Sequence, residues 1–464
     1  MDAGKPTVGV VFTMLELYRT AHPDRPKALG DLWRGVVEDL LGGEADLVFT
    51  GVSHAPDEVD AAVEECIQAD CDLLMVLPLS YAASGSAIDA LSRTSLPLLV
   101  VSSARDATLP YDMTGDHIMA DHAVHGVQDL ANVLGREGRR FELVAGHPSQ
   151  DRFREAVVRT ARAATGAEVF RKGVVGQLGE AFEGMLDFDP GPHFADRFGM
   201  EVRRIDPQEL TVFAGNVDAD RIADLTHWAS TEFEPDGSVT PDLLATSARV
   251  SLALEDLVEA GDLAAVTMNF LQVAAAGVET MPFLGASRLM ADGVGYAGES
   301  DLMTASLVAA VARACGGATF TEVFCPDYER NEVLLAHMGE CNLAFAAPGA
   351  PVRLIAKEFA YGDCKPPVVP VFQLRPGPVT LCCLTQWPGE GYRLIACTGE
   401  IGDAPVHPNL TMPYSRLSFG GDLAEFLEAY SRVGGIHHLA LAYGNQLPAL
   451  ETLARFAGFG FAVV

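Results

Sequence analysis

The sequence predicts an α/β protein in three parts, two flavodoxin- or Rossmann-like α/β domains followed by a C-terminal antiparallel β-barrel. Three observations carry this. Strand-like runs alternate with helical stretches over the first third of the chain, the pattern of a parallel sheet wound with helices. The alternation resumes from about residue 166. Beyond about residue 316, strand-like runs succeed one another between Pro, Gly and Asp with few long helices, as in an antiparallel barrel. The predicted domains are 1–165, an N-terminal α/β domain, 166–315, a central α/β domain, and 316–464, the barrel.

A chain of 464 residues is long enough for several domains and a large core. Hydrophobic residues make up 49%, and no apolar run is long enough to span a bilayer, so a membrane location is not expected. The start, MDAGKPTVGVVF, reads directly into a strand and resembles neither a signal nor a transit peptide, which predicts a cytoplasmic protein. Nine scattered cysteines with no CxxC pair predict reduced thiols rather than a disulfide framework or zinc ribbon. A formal charge of -31 argues against nucleic acid or an anionic membrane as partner.

The first domain is read from the runs TVGVVF, ADLVFTG, DLLMVLP and PLLVVSS, with helices over Pro26 to Leu41 and Pro56 to Gln68. No GxGxxG follows the first strand and there is no P-loop, so a nucleotide site has no support. His125, in AVHGVQD, stands near the start of an amphipathic helix running to about Leu134, where a histidine is ordinarily a surface or capping residue. The second domain opens with GAEVFRKGVVGQ and continues through FEGMLDFDPGP, a Gly- and aromatic-rich segment that reads as a plain turn or as a loop over a ligand, and then LTVFAGN. A helix over Pro241 to Ala260 and the strand-like DLAAVTMNF, ending in Phe270, lead to GVETMPFLGASRLM. In the third, VRLIAKEFAY, VVPVFQL, PVTLCCLTQ and YRLIACTGE read as strands, and a helix over Asp422 to Arg432 precedes GGIHHLALAYG.

The chemistry concentrates between Gly295 and Cys341. Glu299 lies in the turn GYAGES before an apolar helix, where a carboxylate is ordinarily a favourable charge near the helix dipole. Glu322 is different: it sits inside GATFTEVF, and a carboxylate within an apolar strand must be paired, protonated or metal-bound. His337 ends the run EVLLAHMG, and His437 and His438 follow the glycine pair Gly434-Gly435, which permits a tight turn. Two carboxylates with one or two histidines suit Mn2+, Mg2+, Fe2+ or Co2+ better than structural zinc.

These blocks carry a resemblance. RLMADGVGYAGESDLMTASLV, FTEV, LLAHMGEC and GGIHHLALA, with AVHGVQDLANVL and VAGHPSQDRFREAV upstream, resemble the L-arabinose isomerase family in order and approximate spacing over most of the chain. The resemblance implies a Mn2+-dependent aldose–ketose isomerase, with Glu299 and Glu322 as metal ligands and acid/base pair and His337 and His438 completing the ligands. His437 is then a substrate-side neighbour, the two adjacent histidines being able to exchange roles. His125 matches a histidine that reaches a neighbouring subunit's site, and the family's usual assembly is a hexamer. Phe270 matches an apolar residue lining the sugar pocket. The loop TMLELYRT departs from the family: Leu15 stands where a sugar-contacting Gln is expected, ahead of Leu17-Tyr18. An alkyl group there removes hydrogen bonds to hydroxyls and opens the choice among pentoses, hexoses and deoxy sugars.

Such an isomerase moves a proton between C1 and C2 through a cis-enediol; a divalent ion stabilises the developing oxygen charge and a carboxylate carries the proton. Two other classes share parts of this constellation. A metal-dependent lyase or epimerase on a sugar acid or polyol uses similar enolate chemistry, and a non-catalytic sugar-binding protein can also be built from two α/β units.

Overall fold

A computed structural model describes residues 5–464, which divide into a unit ending at Thr165 and a unit running from Gly166 to Val464. The first holds five strands, β1 (Thr7–Thr13), β2 (Asp46–Ser53), β3 (Leu73–Pro78), β4 (Leu98–Ser102) and β5 (Glu142–Ala145). They form one parallel sheet in the order β2-β1-β3-β4-β5. The runs that alternate little in polarity, such as LLMVLP in β3, are buried throughout, as a parallel sheet covered on both faces requires. Helices Arg25–Leu41 and Pro56–Gln68 turn apolar stripes to this sheet, including Leu29, Trp33, Val37 and Leu41 on the first and Val59, Ala62, Val63 and Cys66 on the second.

The second unit begins with β6 (Val174–Leu178), β7 (Glu201–Ile205), the two-residue β8 (Glu234–Pro235), β9 (Ala265–Met268) and β10 (Gly295–Gly298). Four of these make a parallel sheet in the order β10-β9-β6-β7. There follow β11 (Thr319–Asp327), β12 (Glu332–Ala336), β13 (Arg353–Ala356), β14 (Val368–Val371), β15 (Gly377–Trp387), β16 (Gly391–Ile401), β17 (Tyr414–Ser418), β18 (His438–Tyr443) and β19 (Gly460–Val463). Pairing β15-β18-β11-β12-β17-β16 and back to β15 closes a six-stranded antiparallel barrel, which β19 joins in parallel beside β16. Closure leaves no exposed edge among those six strands. β14, β13 and β8 form a small separate sheet.

The fold class is therefore that expected from the sequence. The central sheet and the barrel share one continuous apolar core, in which the helix Leu302–Cys315 is buried along almost its whole length. A helix that is apolar all round belongs in such a position. Two segments differ from their local appearance. LTVFAGN lies in the helix Pro207–Asn216, started by an Asp206 cap whose side chain accepts the Gln208 amide while Glu209 reaches back. The charged EVRRI is the edge strand β7. No helix among the described residues is long and apolar enough to cross a membrane.

Candidate functional site

Open parallel sheets place ligand-binding groups beyond the carboxyl ends of their strands. In the second unit, three such ends converge. β10 runs into Glu299 and Ser300, both with left-handed backbones (φ 63° and 56°) that non-glycine residues adopt only where their surroundings enforce it. Here the enforcement is visible: Ser300 donates its amide to Met268 O at the end of β9 and its hydroxyl to Leu178 O at the end of β6, at 3.1 Å each. β9 ends at Asn269, whose side chain caps the short helix that begins with Phe270. β6 ends at the segment FEGMLDF, whose Phe182 amide donates to Glu299 O.

The barrel supplies the other wall. On β11, Glu322 pairs directly with His438 of β18 and, on its other side, with Ala336 of β12, so His337 emerges next to it. Residues directly opposite on antiparallel strands share a face, and the register alone brings the carboxylate and the imidazole together. The segment before β18 depends on its glycines: Gly434 has φ 96°, and a Cβ on Gly435 would lie 2.2 Å from Tyr430 Cε1.

The result is a cluster in which Glu299, Glu322, His437 and His438 each place a ligand atom within 4.8 Å of the others. His438 is fully buried, and its Nε2 lies 3.0 Å from Glu322 Oε1 and 3.3 Å from Glu299 Oε2. Neither approach has the alignment of a good hydrogen bond, and both His438 Nε2 and Glu299 Oε2 are left without a hydrogen-bond partner. Buried polar atoms are rarely left so. His437 is more open, its side chain 42% exposed. His337 is buried beside Glu322, Nε2 to Oε1 at 3.5 Å, and a Cβ on Gly298 would press to 2.9 Å from its Cε1.

Each histidine has an acid behind it that the sequence reading did not single out. His438 Nδ1 donates to Asp301 Oδ2 at 2.7 Å, both side chains being wholly buried, while Asp301 Oδ1 accepts the Thr304 amide as the cap of the helix Leu302–Cys315. His337 Nδ1 faces Glu340 Oε1 at 2.9 Å, and Tyr296 donates its hydroxyl to the same oxygen. His437 Nδ1 donates to Asp187 Oδ2 at 2.6 Å. A carboxylate hydrogen-bonded to Nδ1, as at His438 and His437, fixes the tautomer and leaves the Nε2 lone pair outward, the arrangement that metal-ligating histidines use.

The electrostatics point the same way. Burial works against protonation of His438, but Asp301, Glu299 and Glu322 together hold it well above the ordinary histidine value. Burial raises the Glu322 carboxyl, yet the close approach of His438 and the charges of His337, His438 and His437 bring it below its usual range. The pocket thus demands positive charge, and its donor set of carboxylate oxygen and imidazole nitrogen is one that a Mn2+-like divalent cation fits.

The sequence-selected Phe270 lines a cavity that also touches Glu299, His337, Met338, Phe359 and Tyr361, and its ring lies 5.3 Å from that of Phe182. The remaining two belong to the N-terminal unit. His125, on the helix Ala123–Arg136, meets His122 with Nδ1 2.6 Å from its Nε2. Leu15 precedes the short helix Glu16–Ala21 and donates its amide to Tyr81 O at 2.9 Å.

Comparison with known proteins identifies a family. Residues 194–317 match the model of the L-arabinose isomerase central domain, and residues 317–460 that of the L-arabinose isomerase C-terminal domain. A Nocardioides L-arabinose isomerase is 28% identical over 393 residues, 81% of this chain and 76% of that protein. The L-arabinose isomerases of Salmonella typhi and Escherichia fergusonii are each 24% identical over 437 residues, 90% of this chain and 86% of theirs. Two adjoining domain models and relatives aligned over most of the length agree: the chain belongs to the L-arabinose isomerase family.

Proposed function

We propose that this protein is a divalent-metal-dependent isomerase that interconverts an aldose and a ketose, with Glu299 and Glu322 as its acid/base pair. Membership of a family of aldose–ketose isomerases, intramolecular oxidoreductases, supports the reaction class. The observation that carries the rest is the meeting of Glu299 and Glu322 about the unpartnered Nε2 of a wholly buried His438.

Glu299, Glu322 and His438 are the core ligands in this reading, with His337 as the fourth, since it too is buried with an acid on Nδ1 and Nε2 toward Glu322. Mn2+ is the proposed ion, with Mg2+, Co2+ or Fe2+ as alternatives. When bound, such an ion supplies a Lewis acid for the oxygens on C1 and C2. The protein's own groups do the proton work. Glu322, held below its usual titration range, is ionised at neutral pH and is competent to accept the proton from the carbon beside the carbonyl; Glu299, across the cluster, assists the complementary transfer on oxygen. The cis-enediol lasts only if bulk water is kept away, and the aromatic side chains of Phe182, Phe188 and Phe270 border the site for that purpose.

His437 is assigned to the substrate side because it is the exposed member of the cluster, with Phe270 as an apolar wall. His125 and Leu15 are assigned to sugar recognition by their match to the family's pattern, His125 across a subunit boundary in a homo-oligomer, proposed to be a hexamer. The substrate is a pentose, hexose or deoxy sugar, and the protein works in the cytoplasm. In domain terms, 1–165 recognises substrate, 166–315 supplies Glu299, and 316–464 supplies Glu322 and the histidines.

The test is an isomerisation screen over pentoses, hexoses and deoxy sugars with added Mn2+, read by ketose formation, beside an EDTA-treated control. Turnover of at least one sugar that EDTA abolishes is the expected result. Silence across the panel from protein that binds Mn2+ stoichiometrically moves the reading to a lyase or epimerase, and silence without metal binding moves it to a sugar-binding protein.

A further inference from the structure

The segment between β6 and β7 touches the site at several points that the proposed chemistry leaves unexplained. Phe188 is buried and stacks on His438, the rings 4.6 Å apart and 8° from parallel. Its neighbour Asp187 receives two bonds on one oxygen: Oδ2 accepts His437 Nδ1 at 2.6 Å and the His437 backbone amide at 3.2 Å. Just beyond, Gln386 Nε2 and the Tyr392 hydroxyl donate to Asp189 O and Pro190 O, each at 2.7 Å, which pins the segment to β15 and β16. The Asp187 carboxylate is therefore held by backbone anchors on its own segment, and it reaches a residue 250 positions away.

We propose that Asp187 is a positioning residue for the isomerisation: by holding His437 through Nδ1, it leaves Nε2 as the nitrogen offered to a sugar hydroxyl beside Glu299 and Glu322. An imidazole whose Nδ1 carries the hydrogen accepts at Nε2, so the ring becomes a fixed acceptor for a substrate O–H. Without Asp187 the ring has no partner on that side and is free to rotate or to move its hydrogen to Nε2, which would face the hydroxyl with a donor. Both side chains are about two-fifths exposed, so a stabilising role is a poor account of the pair. The backbone amide fixes which atom of a replacement can stand in: an Asn must put its carbonyl oxygen, not its NH2, at the shared position.

The proposal rests on the isomerase reading, and the experiment separates the two. Wild type, D187A and D187N are compared with Mn2+ on the sugar that the screen identifies. Histidine-labelled, metal-free protein is examined in parallel by 15N NMR, with H437Q assigning the ring. Removing such an outer partner typically costs roughly 10- to 100-fold. That loss in D187A is expected mainly as a higher KM, because a hydrogen bond made equally in ground and transition states affects binding and not kcat. D187N recovers most of it, and the His437 signals show hydrogen on Nδ1 in wild type and D187N but not in D187A. A merely structural role would instead lower the thermal midpoint and the active fraction at unchanged KM. An active wild type whose D187A variant keeps both its KM and its ring tautomer overturns the role of Asp187 alone. A wild type inactive on every sugar removes the isomerase reading, and with it any positioning role in that reaction.

Discussion

Asp301→Asn is a substitution whose consequences can be worked out atom by atom. The two carboxylate oxygens of Asp301 have separate duties: Oδ1 accepts the Thr304 amide at 2.9 Å, and Oδ2 accepts His438 Nδ1–H at 2.7 Å. An Asn side chain has one acceptor and one donor end. The backbone amide at Thr304 cannot change its polarity, so the Asn oxygen goes to the cap and the NH2 faces His438. The imidazole then moves its hydrogen to Nε2, pointing it at Glu322 and Glu299, 3.0 and 3.3 Å away. In the metal-free protein that is a tolerable arrangement, since the cap survives and the Nε2 hydrogen lies close to two carboxylates. Asp301→Ala is harsher: losing a cap costs about 1 kcal/mol, and leaving the Nδ1–H buried without an acceptor costs roughly 1–3 kcal/mol more. D301N is thus expected to melt close to wild type and D301A distinctly lower. Metal binding reverses that similarity, because a ring carrying hydrogen on Nε2 has no lone pair to give. Loss of such an orienting partner weakens affinity by roughly 10- to 100-fold, or about 1.4–2.8 kcal/mol. Calorimetric titration of Mn2+ into metal-depleted wild type, D301N and D301A measures this directly. D301N with wild-type Mn2+ affinity would refute the tautomer argument and the assignment of His438 as a ligand through Nε2.

Other outcomes are expected from the same structure. Glu299→Gln and Glu322→Gln leave the fold intact and lower kcat by roughly 100- to 10,000-fold, the usual cost of losing a general base; full activity of metal-loaded E322Q would remove it from the acid/base pair. Asp327 is held to about 2 by the Arg330 amide and guanidinium and by Arg416, below its ordinary value of 3.8. Its folded-state pKa being depressed, its contribution is fully present above about pH 4 and fades as pH falls toward 2. The melting temperature of D327N should therefore fall less steeply than that of wild type over that window, and parallel curves would contradict the pairing. Among nine thiols only Cys325 is exposed, while burial pushes those of Cys315, Cys341 and Cys397 up to about 12. Native protein at pH 8 should show one fast thiol toward Ellman's reagent, and C325S should abolish it. A fast phase surviving in C325S would place it on the half-buried Cys315 or Cys364 or on buried thiols that open readily, and would refute the single-thiol expectation.

Much of the architecture was legible because its signals are local. Unbroken apolar runs such as LLMVLP declare buried parallel strands, and the shift to PVTLCCLTQ and YRLIACTGE without intervening helices declares the barrel. Other segments carry weak or opposed local signals. EVRRI lacks an apolar face because it is an edge strand with most of its side chains exposed, so periodicity had nothing to register. LTVFAGN carries β-branched residues that favour a strand, yet the Asp206–Glu209 capping box and Pro207 start a helix there.

The site divides along the same line. Glu322 stood out because a charge inside an apolar strand needs a reason, and the register of β11 with β18 supplies one by setting His438 opposite; His438 itself was marked only by the family resemblance. Their supporting acids gave no such sign. Asp301 reads as an ordinary helix cap, which it also is; its second oxygen is spoken for only once β18 lies alongside. Asp187 sits in a loop rich in other acids, and nothing in FEGMLDFD distinguishes it until the fold brings His437 to it. Glu322 is chemically unusual for its strand and so is visible in sequence, whereas Glu299, Asp301 and Asp187 are chemically ordinary where they stand and are brought to the cluster only by tertiary contact. For that reason the three acids behind His337, His437 and His438 are where substitutions can separate geometry from chemistry. Asp301 shows the separation most plainly, since its Asn variant keeps the Thr304 bond and so is expected to melt close to wild type while its Mn2+ affinity falls.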